Sequence, residues 1–480
     1  MKQTAARIML ILQLSIFLCV VSAAQNDAAS KSSPSPRRQL DHTVYNLPSL
    51  EKQLTELEKT KGKEDAALIP VLEEIGKAYR EQGGYLPAMP LLERALAIAR
   101  KSSGENSTDV AGAADYLGTL NLLAGDYGAA LENYELARSI LEKTMGKDGP
   151  PYLMEMQNIG VVYLRQGKLS EAETTLLNSE NALSKLIGPA APELTGCQGA
   201  LGEVYLRKGN LTRAASQLQY ALAVLSEGLE LRPEGMTEAD VKEMMAPMQN
   251  VLGAVYTTAS FYDRAGDLLG ESLKNYEAKR GHSHESLEAV PINLSALSEA
   301  EKYKGDAAGA RERAESIHRE NIGFAHAASV PLPPPLKPDV MRESKGSLAN
   351  GQAGDWVSYS GPDGEPARKM EIAKSSPAAA IVVTSDWDGA AKKWMAGPEQ
   401  LMSKASNLYE LWDLDEAKAK PEKLEIKGKQ LDVSCTLMPP DANNMQCKMC
   451  VSDEIPAGGM AKIECDGKVL MKATDYKRGK

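Results

Sequence analysis

The sequence predicts two kinds of domain, an all-α solenoid followed by a small antiparallel β sandwich or barrel. Three observations carry this prediction. A helical motif recurs every 42 residues or slightly more through the first two thirds of the chain, a proline-rich stretch follows it, and residues 351–480 contain short apolar runs between Gly and Pro. Units of that repeat length cannot bury their own apolar faces, so they must stack on their neighbours.

The repeated motif starts with a small residue and continues with an aromatic or similar residue, a Gly and an Ala. The intervals between successive copies are 42, 42, 42, 51 and 45 residues, with the leading positions at Gly76, Gly118, Gly160, Gly202, Gly253 and Ser298. Apolar residues at helical spacing on both sides of the second Gly predict two helices in each copy. The whole region from 45 to 327 is therefore expected to form about six helix pairs behind an N-terminal cap helix.

The third copy shows why the small residues are needed. We expect Gly160 and Ala172 where its two helices cross, because a larger side chain there would push the backbones apart. Gly167 is expected in the left-handed conformation between the helices, which costs other residues energy. These roles are structural, so the motif residues themselves carry no chemistry.

Several segments resemble the tetratricopeptide repeat of the kinesin light chain type. Asn158–Lys168 resembles a first helix with its turn, Leu92–Ala99 a second helix, and Ser103–Ala111 the loop to the next repeat. The resemblance covers roughly residues 65–320. It implies a superhelical solenoid that binds other proteins, but names no partner, because such repeats serve many unrelated assemblies.

The N-terminus predicts export. Residues 1–24 carry Lys2 and Arg7, an apolar run from Ile8 to Val21, and small residues before the expected cleavage site, as a secretory signal peptide does. A polar, disordered spacer is expected over 25–44. After removal of the signal we expect a periplasmic or secreted protein without stable membrane insertion, although an uncleaved anchor is the alternative.

The charge balance argues against nucleic acid as a partner. The formal net charge is −10 and the sequence pI is about 5.3, and no basic stripe with interleaved aromatic residues occurs. An acidic surface repels phosphate backbones. We also find no phosphate-binding loop, nucleotide fingerprint or serine-nucleophile motif, so no catalytic residue and no cofactor are predicted.

A linker and a β-rich domain follow the solenoid. The run Val330–Pro338 favours an extended polyproline form and is expected to act as a stiff linker within 328–350, with recognition by a proline-binding groove as the alternative. Beyond it, one helix is predicted over Glu399–Trp412, and the remaining apolar runs are predicted as strands, at 355–359, 379–384, 424–427, 431–437, 445–451, 460–464 and 469–474.

The ends of this last region resemble an uncharacterised β domain of exported bacterial proteins. Gly354–Tyr359 and Val451–Lys462 carry the resemblance, whereas Cys450 stands where an aromatic residue is expected. The resemblance implies an accessory domain on a secreted protein and brings no known activity.

Four cysteines lie together in this domain, and Cys197 lies alone in the solenoid, where it is expected to be an inert buried thiol. For an exported domain, two disulfides are the simplest arrangement. Hairpins turning near residues 441 and 457 favour pairing Cys435 with Cys447 and Cys450 with Cys465. A CxxC redox pair at Cys447 and Cys450, or a four-Cys zinc site, are the alternatives.

The predicted binding surface is the concave wall formed by the first helix of each repeat. Counting from each leading Gly gives the candidate residues Glu73, Lys77, Arg80, Asp115, Thr119, Gln157, Val161, Leu164, Glu203 and Asn250. This mixed wall suits an extended or helical peptide. The sequence therefore predicts an extracytoplasmic protein-binding adaptor, with a thiol- or metal-dependent enzyme at the terminal cysteines as the alternative.

Overall fold

The computed structural model describes residues 47–228, 236–300, 306–323, 331–339, 348, 351–404, 418–438 and 446–477. The chain divides into two compact units. The first contains residues 1–204, 217–254 and 263–336, and the second contains 205–216, 255–262 and 337–480. The predicted signal peptide and spacer lie outside the described residues.

Thirteen α-helices occur in the described part of the chain, and they confirm the predicted solenoid. A cap helix, α1, precedes six pairs that follow in chain order. The helices are α1 Leu47–Lys61, α2 Ile69–Glu81, α3 Tyr85–Ser103, α4 Thr108–Leu123, α5 Tyr127–Met145, α6 Pro150–Arg165, α7 Leu169–Ile187, α8 Thr195–Arg207, α9 Leu211–Gly228, α10 Glu238–Thr258, α11 Tyr262–Arg280, α12 Ala289–Glu299 and α13 Ala307–Asn321.

The leading Gly of each complete repeat permits the two helices of a pair to cross closely. A Cβ atom on Gly160 would lie 2.7 Å from Cγ of Leu176, which is fully buried. The same contact, sixteen residues along the chain, recurs between Gly76 and Leu92, Gly118 and Tyr134, Gly202 and Leu218, and Gly253 and Leu269. The sequence prediction for Gly160 is therefore confirmed, and its closest neighbour is another motif residue.

The turn between paired helices requires positive φ. Gly83, Gly125, Gly167 and Gly209 have φ between 72° and 83°, as predicted for Gly167. The fifth repeat has Ser260 at this place with φ 61°, a conformation that a residue with a Cβ adopts at a cost. The fifth turn is therefore locally strained.

The solenoid closes on itself within the first unit. Arg280, at the end of α11, contacts Glu81 of the first repeat with 2.5 Å between Nη1 and Oε2, and also pairs with Glu243. Tyr85 donates a hydrogen bond from its hydroxyl to Glu285, although the two residues are 200 positions apart. Tyr85 and Glu285 are buried, whereas Glu81, Glu243 and Arg280 are half-buried. The first repeat thus meets the fifth repeat and the connection after it.

The second unit contains one continuous nine-stranded antiparallel sheet, which confirms the predicted β domain. Its order is β4-β3-β2-β1-β9-β8-β7-β6-β5, so each strand but β1 and β9 pairs with its sequence neighbours alone. The strands are β1 Trp356–Ser360, β2 Pro366–Ser375, β3 Ala379–Asp388, β4 Lys393–Ser403, β5 Lys420–Ile426, β6 Lys429–Leu437, β7 Cys447–Val451, β8 Met460–Cys465 and β9 Lys468–Lys477.

The helix predicted over Glu399–Trp412 is wrong at its start. Residues 399–403 belong to β4, where Gln400 pairs with Val382 and Leu401 with Ile381. Pairing with the buried strand β3 outweighs the local helical preference, as tertiary context commonly does. The rest of the predicted helix, from 405 onward, lies outside the described residues.

The predicted disulfide pairing is also wrong. The disulfides join Cys435 to Cys450 and Cys447 to Cys465. Each pair occupies directly opposed positions, with Cys435 of β6 opposite Cys450 of β7 and Cys447 of β7 opposite Cys465 of β8. The prediction had placed Cys435 opposite Cys447, so the strand register decides the pairing. Among the described helices, none combines the length and apolarity needed to cross a membrane.

Candidate functional site

The predicted concave wall is lined by the first helices of the repeats and is largely hidden from solvent. Its ten candidate residues lie on α2, α4, α6, α8 and α10. Only Glu73 and Lys77 are half-buried, and the other eight are buried. These side chains are therefore largely shielded from solvent by the packing of the repeats.

Three carboxyl groups interact across α2, α4 and α6, with Asp115 of α4 near both Glu73 of α2 and Glu155 of α6. Nδ2 of Asn158 donates to Oδ1 of Asp115 over 3.2 Å, and Glu155, which is 1% exposed, lies beside both. Burial raises the pKa of Glu73 to about 7. Burial also raises the pKa of Glu155, and the nearby Asp115 charge acts in the same direction. Sequence reasoning missed Glu155, because it lies five residues before Gly160 and outside the counted positions.

Other polar side chains of the wall are poorly satisfied. Both amide atoms of Gln157 and the hydroxyl of Tyr116 are buried and lack hydrogen-bond partners within the described residues. Nζ of Lys77 lies 5.3 Å from the Tyr116 ring centroid and 2.8 Å from Glu74. Unpaired buried polar atoms cost free energy, so a hydrogen-bonding partner for these atoms would lower that cost.

Some candidates serve the solenoid itself. Thr119 accepts a hydrogen bond from Tyr134 over 3.0 Å, which ties α4 to α5 of the same repeat. Glu203 pairs with Arg165 over 2.8 Å, linking α8 to α6, and both side chains are only 6% exposed. Val161 and Leu164 are buried apolar residues of α6.

A pair of asparagines marks the C-terminal part of the wall. Asn293 of α12 donates from Nδ2 to Oδ1 of Asn250 over 2.9 Å, and both residues are buried. The side-chain oxygen of Asn293, Oδ1, accepts a hydrogen bond from the backbone N–H of Leu336 over 2.8 Å. Asn250 was a predicted wall residue, whereas Asn293 was missed because the sixth repeat departs from the regular spacing.

The family comparison agrees with this architecture. The model of the tetratricopeptide repeat matches residues 50–143. This part of the chain is a tetratricopeptide repeat array. No curated protein matches the chain in sequence.

Solved structures similar to the tetratricopeptide region share little sequence with it. BtubC (BKLC) from P. vanneervenii is 20% identical with a TM-score of 0.38, over 49% of this chain and 91% of that one. A putative kinesin light chain with nearly identical TPR-like repeats from Podosopora anserina is 19% identical with a TM-score of 0.31, over 45% and 98%. The apo form of RapI is 14% identical with a TM-score of 0.42, over 58% and 88%.

Outside the tetratricopeptide array, the two disulfides engage all four clustered cysteines. Cys447 and Cys450 are three residues apart on β7, so their side chains point to opposite faces of the sheet. Each is bonded to a different strand, and this arrangement therefore differs from a redox-active CxxC pair. Glu422 lies beside Cys435 and Cys450, but their sulfurs are bonded to each other and offer no thiolate to a metal.

Two other residues with reactive side chains, Cys197 and His284, are buried in the solenoid. Cys197 is 2% exposed, and burial raises the pKa of its thiol, as expected for an inert core residue. His284 is 1% exposed and its Nδ1 lies 2.7 Å from Oγ of Ser286. It lies next to Glu285, which contacts Tyr85 of the first repeat.

Proposed function

We propose that the protein is an extracytoplasmic adaptor whose tetratricopeptide wall binds an extended peptide segment of another protein. The observation that carries this proposal is the hydrogen bond from the backbone N–H of Leu336 to the side chain of Asn293. Leu336 belongs to the proline-rich segment that follows the solenoid, so Asn293 already holds the backbone of another segment of this chain.

An asparagine suits this role because its amide is both donor and acceptor. Asn250 accepts from the Nδ2 of Asn293 and thereby fixes the amide orientation, leaving the oxygen for a backbone donor. Contacts to the backbone bind any extended chain, and neighbouring side chains then select the sequence. The unpaired amide of Gln157 offers another polar contact in the third repeat.

Export rests on two independent features. Residues 1–24 have the order of charge, apolar run and small residues typical of a signal peptide. Two disulfides form in the C-terminal domain, and such bonds persist in oxidising compartments. A periplasmic or secreted location accommodates both.

The proposal is tested by capture from the exported fraction of the native host. The baits are residues 25–480, the same chain with Asn293→Ala, and a control with Asn178→Ala, which changes an exposed asparagine on α7. We expect a partner, identified by mass spectrometry, to be retained by the first and third baits and lost from the second. A partner retained equally by all three would place binding elsewhere on the chain.

A further inference from the structure

The proline-rich segment that the sequence predicts as a linker lies against the solenoid. Between Pro331 and Leu336, only Leu332 and Leu336 have a backbone N–H, because the other residues are prolines. The N–H of Leu336 is bound by Asn293, and Pro333 is buried. The segment therefore contacts the wall at Asn293, where one of its two backbone donors is hydrogen-bonded.

This segment is well suited to such a site. A polyproline conformation has no internal hydrogen bonds and little entropy to lose on binding, because each proline fixes its own φ. Asn293 is 3% exposed with the segment in place, and its oxygen is engaged. Another backbone cannot use this oxygen in the same way until the segment leaves.

We propose that residues 331–336 are an intramolecular occupant of the wall, and that the partner is an extended, proline-rich peptide that displaces them. This inference rests on the proposed function and specifies its ligand. A tethered segment acts at an effective concentration that reaches millimolar for short flexible tethers. A free peptide of similar intrinsic affinity therefore binds weakly until the occupant is removed.

A reciprocal substitution tests the inference. The probe is a fluorescein-labelled peptide with the sequence of residues 331–338, and binding is followed by fluorescence anisotropy. Leu336→Pro removes the N–H while keeping a residue compatible with the extended segment. In the protein, this change frees Asn293, and we expect the probe to bind about threefold to tenfold more tightly.

The same change in the probe should act in the opposite direction. A Leu336→Pro probe should bind about threefold to tenfold more weakly to a protein whose residues 331–336 are replaced by six Gly and Ser residues. That replaced protein should bind the unmodified probe at least tenfold more tightly than the wild type. Pro334→Ala in the protein is the control, because Pro334 is exposed and has no donor to lose, and it should change binding less than Leu336→Pro does.

The outcomes separate this inference from the proposed function. Equal binding of the probe to wild-type and replaced proteins overturns the intramolecular occupant, as does no binding to either. In both cases the proposed function is still decided by the capture with Asn293→Ala. The circular dichroism of each variant at 222 nm must match that of the wild type. If Leu336→Pro alters this helical signal, probe binding to the protein with residues 331–336 replaced is compared with wild-type binding instead.

Discussion

Adding a single methyl group to α4 should have opposite effects on the stability of the protein at two different positions. Gly118 and Gly112 both lie within α4, but a Cβ on Gly118 would be 2.9 Å from the ring of Tyr134, whereas one on Gly112 would have no atom within 4 Å. Tyr134 is fully buried, and its hydroxyl donates to Thr119 over 3.0 Å. The ring therefore cannot move aside without losing a hydrogen bond.

The magnitudes follow from these contacts. Ala in place of Gly stabilises a helix interior by about 1 kcal/mol. Overpacking a rigid core costs about 1–3 kcal/mol, and loss of the Tyr134 hydrogen bond adds about 1 kcal/mol. We expect Gly112→Ala to raise the free energy of unfolding by up to about 1 kcal/mol and Gly118→Ala to lower it by about 1–3 kcal/mol.

The assay is guanidinium unfolding of residues 25–480, followed by circular dichroism at 222 nm, with the midpoints of the two variants compared at equal slope. Comparing the variants reduces the error from any intermediate that a repeat array populates. If Gly118→Ala is as stable as Gly112→Ala, the helices do not cross closely at the leading glycines, and the packing argument fails.

Three further predictions concern the turn, the buried acids and the disulfides. Ser260→Gly should stabilise the fifth turn by about 0.5–1 kcal/mol in the same unfolding assay, because Gly accepts positive φ more easily. Glu155→Gln should raise the thermal midpoint at pH 7.5 and change it little at pH 4.5. Because the pKa of Glu155 is raised in the folded state, its carboxyl contributes fully to stability below the unfolded pKa, where it is protonated in both states. That contribution is lost as the pH rises through the folded pKa and the buried carboxyl ionises. Replacing Cys435 and Cys450 together by Ser should lower the stability of the β domain by about 3 kcal/mol for this 15-residue separation, measured as the loss of its near-ultraviolet signal in denaturant.

Each of these has a clear contrary result. Destabilisation by Ser260→Gly would mean that the Ser side chain is needed in the turn. If Glu155→Gln changes the thermal midpoint equally at both pH values, the ionised form of Glu155 is not disfavoured by burial. Peptide mapping of the oxidised wild type that found Cys435 bonded to Cys447 would refute the β6–β7 register.

The regular features of the solenoid could be predicted because they are local. The spacing of Gly76, Gly118 and Gly160 reports a packing need that each repeat meets within its own helix pair. Gly167 reports a backbone conformation set within three or four residues. Such local constraints place glycines at periodic positions, which can be recognised in a single sequence.

The features that the sequence did not predict depend on distant pairing. The register of β6 and β7 decides which cysteines meet, and the loop between those strands does not specify it. The contact of Arg280 with Glu81 depends on the accumulated rotation of five repeats. Asn293 was missed for a related reason, since its role requires both an irregular sixth repeat and a segment that returns to the wall.

The binding of peptide backbone by the wall is tested most directly by the hydrogen exchange rate of the Leu336 amide, measured at single-residue resolution in the full chain. The segment has few amides, so the measurement has little overlap to resolve. If Asn293 holds an extended backbone, the Leu336 amide is protected in the wild type and exchanges faster in Asn293→Ala, while Asn178→Ala leaves it unchanged. Exchange in the wild type at the rate of an unstructured peptide would contradict the central claim that the wall binds peptide backbone.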